Sequence, residues 1–141
     1  MALPRGKFNR IYMNSRRLIS YTLRDMALDD PLTIELAPGR APGTQILRLS
    51  GPLTLRNIFD LQTEMRKAEP APLTILDLTG VPYMDSAGMG VIVNYHVHCQ
   101  NRGGRVIAVG VSPRILEVFR ITRVDSVIRL APTAEEAEAL A

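Results

Sequence analysis

Short apolar runs alternate with longer helical patterns over most of this 141-residue chain, and this alternation constrains the fold more than any other feature. The clearest example is the run Leu73–Leu78, which has the length of a buried strand. A short loop follows it, and a helical pattern then extends from Ser86 to Asn101. Strands that alternate with helices predict a mostly parallel sheet, because parallel neighbours require a crossover connection.

The other segments complete an α/β pattern. Two alternating stretches flank a turn rich in proline and glycine at 38–43, which predicts an opening hairpin. The predicted order is β-β-α-β-α-β-α-β-α, a mixed and mostly parallel sheet of about five strands with about four helices, within a domain over residues 31–141. The predicted strands are 32–36, 45–49, 73–78, 105–111 and 127–130, and the predicted helices are 53–68, 86–101, 112–121 and 133–140.

Residues 1–30 differ from this domain in charge and pattern. Residues 1–24 contain basic side chains and no acidic one, whereas the rest of the chain carries more acidic than basic side chains. Apolar residues recur here at three- and four-residue steps, which predicts a basic amphipathic helix as an N-terminal extension. Three interpretations stay open: contact with an anionic membrane surface, packing on this domain or on a sister chain in a homodimer, and translation starting at Met13 or Met26.

Composition narrows the class of protein. The overall basic charge comes from the extension, so no basic face for nucleic acid is predicted on the domain. No apolar run is long enough for a transmembrane helix, and no signal peptide is recognisable. The single cysteine, Cys99, is typical of a cytoplasmic protein.

Catalytic and metal sites are weakly supported. Ser86 lacks the glycine-flanked elbow of a hydrolase, and His96 and His98 lie about 15–18 Å farther along the same predicted helix. His96 and Cys99 share a helix face, but no further ligand is near them in sequence. We therefore predict neither an enzyme nor a metal or other cofactor. Asp77 and Asp85 near one loop suggest acid–base work or a cation site, and we favour helix capping and recognition.

Ser86 is the most suggestive single residue. It begins a helix beside Asp85, and free backbone N–H groups at a helix N-terminus favour a phosphate there. The alternative interpretation is an ordinary N-cap serine that is never modified. If Ser86 is phosphorylated, the added charge repels Asp85 and penalises docking at an adjacent apolar surface. We expect that surface to include Val81, Tyr83, Met84 and Met89.

The stretch Leu73–Gly90, with Asp85-Ser86-Ala87-Gly88 at the helix start, resembles the signature of STAS domains, specifically the bacterial anti-sigma factor antagonists. Residues 53–66, 103–109 and 111–119 also resemble the family's first helix, next strand and next helix. The resemblance covers about residues 32–141 in the same element order. A methionine at position 89, where leucine is commoner, and the extension 1–30 depart from the family pattern.

The resemblance implies a non-enzymatic protein that captures an anti-sigma factor and so releases a sigma factor. The anti-sigma factor is often a serine kinase of the histidine-kinase-like ATPase type. It phosphorylates the serine that matches Ser86, which ends the complex, and a phosphatase restores it. The partner-binding residues predicted on this basis are Asp77, Tyr83, Met84, Asp85, Ser86, Ala87, Gly88 and Met89.

A second function stays open at this stage. The chain is alternatively a constitutive STAS module without phosphorylation. It then serves as a scaffold subunit of a stress-signalling complex or as an accessory of a membrane transporter, with residues 1–30 as its docking element.

Overall fold

The computed structural model describes residues 31–69 and 71–140, in which helices pack on both faces of one five-stranded sheet. The predictions made for residues 1–30 lie outside this part of the chain. The elements, in chain order, are β1 (Thr33–Pro38), β2 (Thr44–Ser50), α1 (Ile58–Lys67), β3 (Leu73–Gly80), α2 (Ser86–Gln100), β4 (Arg105–Val109), α3 (Pro113–Ile121), a 3-10 turn (Val124–Ser126), β5 (Arg129–Ala131) and α4 (Ala134–Ala139).

The strands lie side by side in chain order, from β1 at one edge to β5 at the other. β1 and β2 form the predicted antiparallel hairpin, and β2 through β5 are parallel neighbours. The predicted fold class and element order are therefore confirmed. The parallel strands all end at one edge of the sheet, where the segments leading into α1, α2 and α3 also lie. We call this edge the carboxyl edge (residues 51–59, 81–88 and 110–114).

The hydrophobic core lies mainly on one face of the sheet. Helices α1, α2 and α3 cover that face and contribute Leu61, Ile92 and Phe119, each essentially inaccessible to solvent. The opposite face carries a smaller cluster in which Ala137 of α4 packs against β3 and β4. The central strand β3 is buried from both sides over most of its length, which explains its nearly continuous apolar run.

Helix α1 begins at Ile58, five residues later than predicted, because a hydrogen-bonded turn occupies its expected first turn. The buried Asn57 side chain accepts a hydrogen bond from Thr54 N–H (2.9 Å) and donates one to the Pro52 carbonyl (2.7 Å). Leu53 instead forms a parallel bridge with Met84. The segment 53–57 is thus part of the carboxyl edge.

Strand β4 ends at Val109 and not at Val111. The next residue, Gly110, has a left-handed φ of +69°, and a Cβ there would collide with Thr79. Near the C-terminus the 3-10 turn, which the sequence did not predict, delays β5 to Arg129–Ala131.

Candidate functional site

Asp85 is the residue that caps helix α2. Its Oδ1 accepts a hydrogen bond from the Gly88 backbone N–H (2.9 Å), in the usual N-cap pattern. Its Oδ2 accepts from the backbone N–H of Leu55 (3.1 Å), which lies in the turn before α1. The predicted capping role is confirmed, and the same carboxylate also ties the starts of two helices together.

Ser86 is the first residue of α2 and is exposed to solvent. Because Asp85 provides the cap, the Ser86 hydroxyl is not needed to satisfy a backbone N–H group of the first turn. The helix N-terminus still favours negative charge at this position. Position 86 therefore combines exposure with a local field that suits a phosphate.

We expected four apolar residues around Ser86 to be exposed, and for three of them this prediction is wrong. Val81, Met84 and Met89 are at most 4% exposed and belong to the main core. Backbone pairing is the reason: Leu53 N–H donates to the Tyr83 carbonyl (3.0 Å), which draws the loop onto the sheet. As a result the Met84 and Met89 side chains, predicted to contact a partner, lie beneath the surface.

The remaining predicted residues of this loop stay closer to solvent. Tyr83 and Ala87 are half-buried, whereas Gly88 is buried against Leu53. The guanidinium of Arg114, at the start of α3, lies 5.9 Å from the centre of the Tyr83 ring. This contact brings the first turn of α3 to the same edge as Ser86.

Asp77 lies on the other face of the sheet, because Leu76 and Leu78 on either side of it point into the main core. Its carboxylate accepts hydrogen bonds from Thr79 and from Arg48 Nε (3.1 Å), and Arg48 also pairs with Glu35. Burial raises the pKa of Asp77, but the hydrogen bonds from Thr79 and Arg48 outweigh it, so the pKa lies below its ordinary value. Asp77 therefore pairs with Arg48 and Thr79 on one face of the sheet, whereas Asp85 caps α2, and contact of Asp77 with a partner stays a prediction.

Two apolar side chains at the carboxyl edge were not predicted to be exposed. Leu55 is 64% exposed and Phe59 is 71% exposed. The backbone of Leu55 is bonded to Asp85, and Phe59 lies in the first turn of α1. The sequence did contain a signal: at about 100° per residue, the apolar positions of 53–65 spread around the helix axis over more than one face.

The histidines and Cys99 do not gather with Ser86. His96 is buried, and neither ring nitrogen has a hydrogen-bond partner among the described residues. Burial lowers the pKa of His96 and raises that of Cys99. His98 instead stacks on Tyr95 with ring centres 6.4 Å apart. Over residues 31–69 and 71–140, no group of three or more His, Cys, Asp or Glu side chains is placed to hold a metal ion.

None of the helices formed by the described residues is both long enough and apolar enough to span a lipid bilayer.

Comparison with known proteins identifies the domain type. Residues 38–137 match the STAS domain family. Among curated proteins, the anti-sigma-B factor antagonist of Listeria monocytogenes is 36% identical over 55 residues, which are 39% of this chain and 48% of that protein. The match therefore spans about half the length of this curated relative.

Solved structures share the fold at low sequence identity. An anti-sigma factor antagonist from Mycobacterium paratuberculosis superposes with a TM-score of 0.68 at 19% identity, covering 77% of this chain and 92% of that one. The phosphorylated form of the Bacillus cell fate determinant SpoIIAA superposes with a TM-score of 0.58 at 23% identity, covering 75% and 96%. By its matched residues and its fold, the chain belongs to the STAS domain family.

Proposed function

We propose that this protein is an anti-sigma factor antagonist that binds its anti-sigma factor at the carboxyl edge and releases it when Ser86 is phosphorylated. The observation that carries the proposal is the pairing of an exposed Ser86 with a neighbouring cap, Asp85, at the start of α2. A hydroxyl that performs no capping is available to a kinase without loss of the helix start.

Phosphorylation at this position changes docking more than folding. A phosphate adds about −1.5 to −2 charges at neutral pH, and the α2 N-terminus stabilises such a charge. Next to the carboxylate of Asp85, however, it gives the surface a second anionic group. A partner that fits the unmodified edge then meets like-charge repulsion and the cost of removing water from the phosphate.

The exposed apolar residues near Ser86 provide the binding energy in this proposal. Leu55, Phe59 and the half-buried Tyr83 lie at the carboxyl edge, and large apolar or aromatic side chains dominate most protein interfaces. Gly88 and the buried methionines act indirectly, by holding the loop and the helix start in place. We name Leu55, Phe59, Tyr83, Ser86 and Ala87 the docking surface.

Membership of the STAS domain family and the names of the relatives support the proposed partner class. The Listeria relative is named an anti-sigma-B factor antagonist, and SpoIIAA has been solved in a phosphorylated form. Both support a cycle in which an ATPase-type serine kinase modifies Ser86 and a phosphatase reverses it. We infer that this protein is a non-enzymatic regulator that acts in the cytoplasm.

Phosphate transfer tests the proposal directly. We expect the cognate kinase and ATP to add one phosphate to the wild-type chain and none to Ser86→Ala, as measured by intact mass. Ser112→Ala is the matched control, because Ser112 also begins a helix but uses its Oγ to accept from Ile115 N–H. Incorporation into Ser86→Ala would show that the modified residue lies elsewhere.

The docking surface has its own test. Phe59→Ser is expected to weaken binding of the anti-sigma factor by tenfold or more, on the order of 1–2 kcal/mol, because exposed aromatic anchors dominate interfaces. The control is Ile121→Ser, since Ile121 is 73% exposed at the opposite end of α3. Equal losses of affinity in both variants, measured by calorimetry, would argue against a surface centred on the carboxyl edge.

A further inference from the structure

Helices α1 and α2 line a cavity of about 300 Å³ that is open to solvent and takes no part in the docking surface. Its floor is apolar and is formed by Met65, Val91 and Tyr95, all of which are buried. Its volume is at the lower end of the range of about 300–1,000 Å³ typical of small-molecule sites. The cavity is therefore large enough for one small ligand.

The rim of the cavity is polar and carries positive charge. Gln62, Arg66, Asn94 and His98 surround the opening, and none of the described lining residues is acidic. The described residues supply no ion-pair partner for Arg66, whereas the adjacent Lys67 pairs with Glu64 at 3.7 Å. The exposed Arg66 side chain thus places a positive charge, without an ion-pair partner among the described residues, beside an apolar floor.

We propose that this cavity binds a small amphiphilic carboxylate, with its apolar body on the floor and its carboxylate at Arg66. A guanidinium matches a carboxylate with two parallel N–H···O hydrogen bonds, and the Gln62 and Asn94 amides can donate further ones. One permanent cation at the rim favours a ligand with a single negative charge. The Tyr95 ring, stacked against His98, gives the apolar body a flat wall.

The position of the cavity separates it from Ser86. It lies along the middle of α1 and α2, between Gln62 and His98, whereas the docking surface occupies the starts of these helices. A ligand there contacts both helices without contacting Asp85 or Ser86. The site can therefore be filled with or without a phosphate on Ser86, and its test is independent of the proposed function.

Octanoate and octylammonium form the probe pair, since they share an apolar chain and differ in charge. We expect octanoate to bind the full chain and to shift the amide resonances of Val91 and Tyr95, and octylammonium to bind at least about tenfold more weakly. Arg66→Gln is expected to remove this preference, and Lys67→Gln, which changes the neighbouring charge outside the lining, to keep it. Asn94→Trp, an exposed rim position, is expected to obstruct the opening and weaken octanoate binding.

Equal affinity for the two probes, or a preference that survives Arg66→Gln, would overturn the proposal. So would a failure of octanoate to bind the full chain. If deletion of residues 1–30 then allowed octanoate to bind, the cavity would belong to the chain's own extension instead.

Discussion

At the scale of single residues, Asp85 caps α2 and the neighbouring Ser86 presents an exposed hydroxyl. Asp85 uses both carboxylate oxygens on backbone N–H groups, one in its own helix and one at Leu55. Ser86 is left exposed. A serine that also had to cap the helix would lose its cap contact on modification. In this arrangement, a phosphate can be added without disturbing the hydrogen bonds that define the helix start.

Asp85 is accordingly expected to matter for stability as well as for recognition. Asp85→Ala removes the cap of α2 and the acceptor for Leu55 N–H, and we expect the free energy of unfolding to fall by about 1–2 kcal/mol. Urea denaturation measures this change. Asp85→Asn retains an oxygen acceptor for the cap but none for Leu55 N–H, and it should recover only part of the loss. An Asp85→Ala variant as stable as the wild type would contradict the capping role.

At the scale of elements, the position of α2 depends on close contact between its first turn and the segment before α1. A Cβ on Gly88 would collide with the Leu53 backbone oxygen and approach its Cγ to 2.8 Å, whereas a Cβ on Gly90 would meet nothing within 4 Å. The two glycines lie in the same helix, two residues apart, and differ in the space around them. They therefore form a matched pair for substitution by alanine.

We expect Gly88→Ala to lower the free energy of unfolding by about 1–3 kcal/mol, because backbone must move to make room. Gly90→Ala should raise it by up to about 1 kcal/mol, because alanine is the better helix former at an exposed position. Thermal or urea unfolding distinguishes a decrease in the free energy of unfolding from an increase. A neutral Gly88→Ala would indicate that the α2 start has room to shift away from Leu53.

The sequence predicted the elements well where local rules determine them. The hairpin follows from alternation, and the start of α3 follows from Ser112 and Pro113, an N-cap serine before a proline. The start of α1 could not be predicted in this way, because the Asn57 side chain and the Leu53–Met84 bridge replace the first helical turn with a tertiary arrangement.

In the candidate site, too, local rules predict some features and tertiary packing determines the others. Asp85 as a cap and Ser86 as an exposed hydroxyl follow from local helix-start chemistry. The exposure of the surrounding apolar residues could not be predicted in this way, because apolar character alone does not say whether a side chain points to the core or to solvent. Met84 and Met89 point into the core, while Phe59 points to solvent. Only the packing of the loop onto the sheet decides which side chains remain accessible.

At the scale of the whole molecule, His96 links the stability of the domain to pH. Its ring is buried, both nitrogens are without partners in the described part of the chain, and burial lowers its pKa below the ordinary 6.5. The unfolded chain therefore binds a proton at a higher pH than the folded one. The stabilising contribution is fully present above about pH 6.5 and is lost as the pH falls toward the native pKa.

We expect His96→Leu to remove a pH-dependent loss of stability between about pH 7 and pH 5. Urea midpoints measured across this range provide the comparison. A wild-type midpoint that does not change with pH would contradict the assignment to His96.

The most direct measurement is calorimetric titration of the anti-sigma factor with the unmodified chain and with the chain phosphorylated at Ser86. We expect tight binding by the first and a loss of at least about a hundredfold in the second, since like charges and a buried phosphate cost several kcal/mol. The thermal unfolding of the two forms should be nearly the same. Equal affinities, or a phosphorylated chain that no longer folds, would contradict the account.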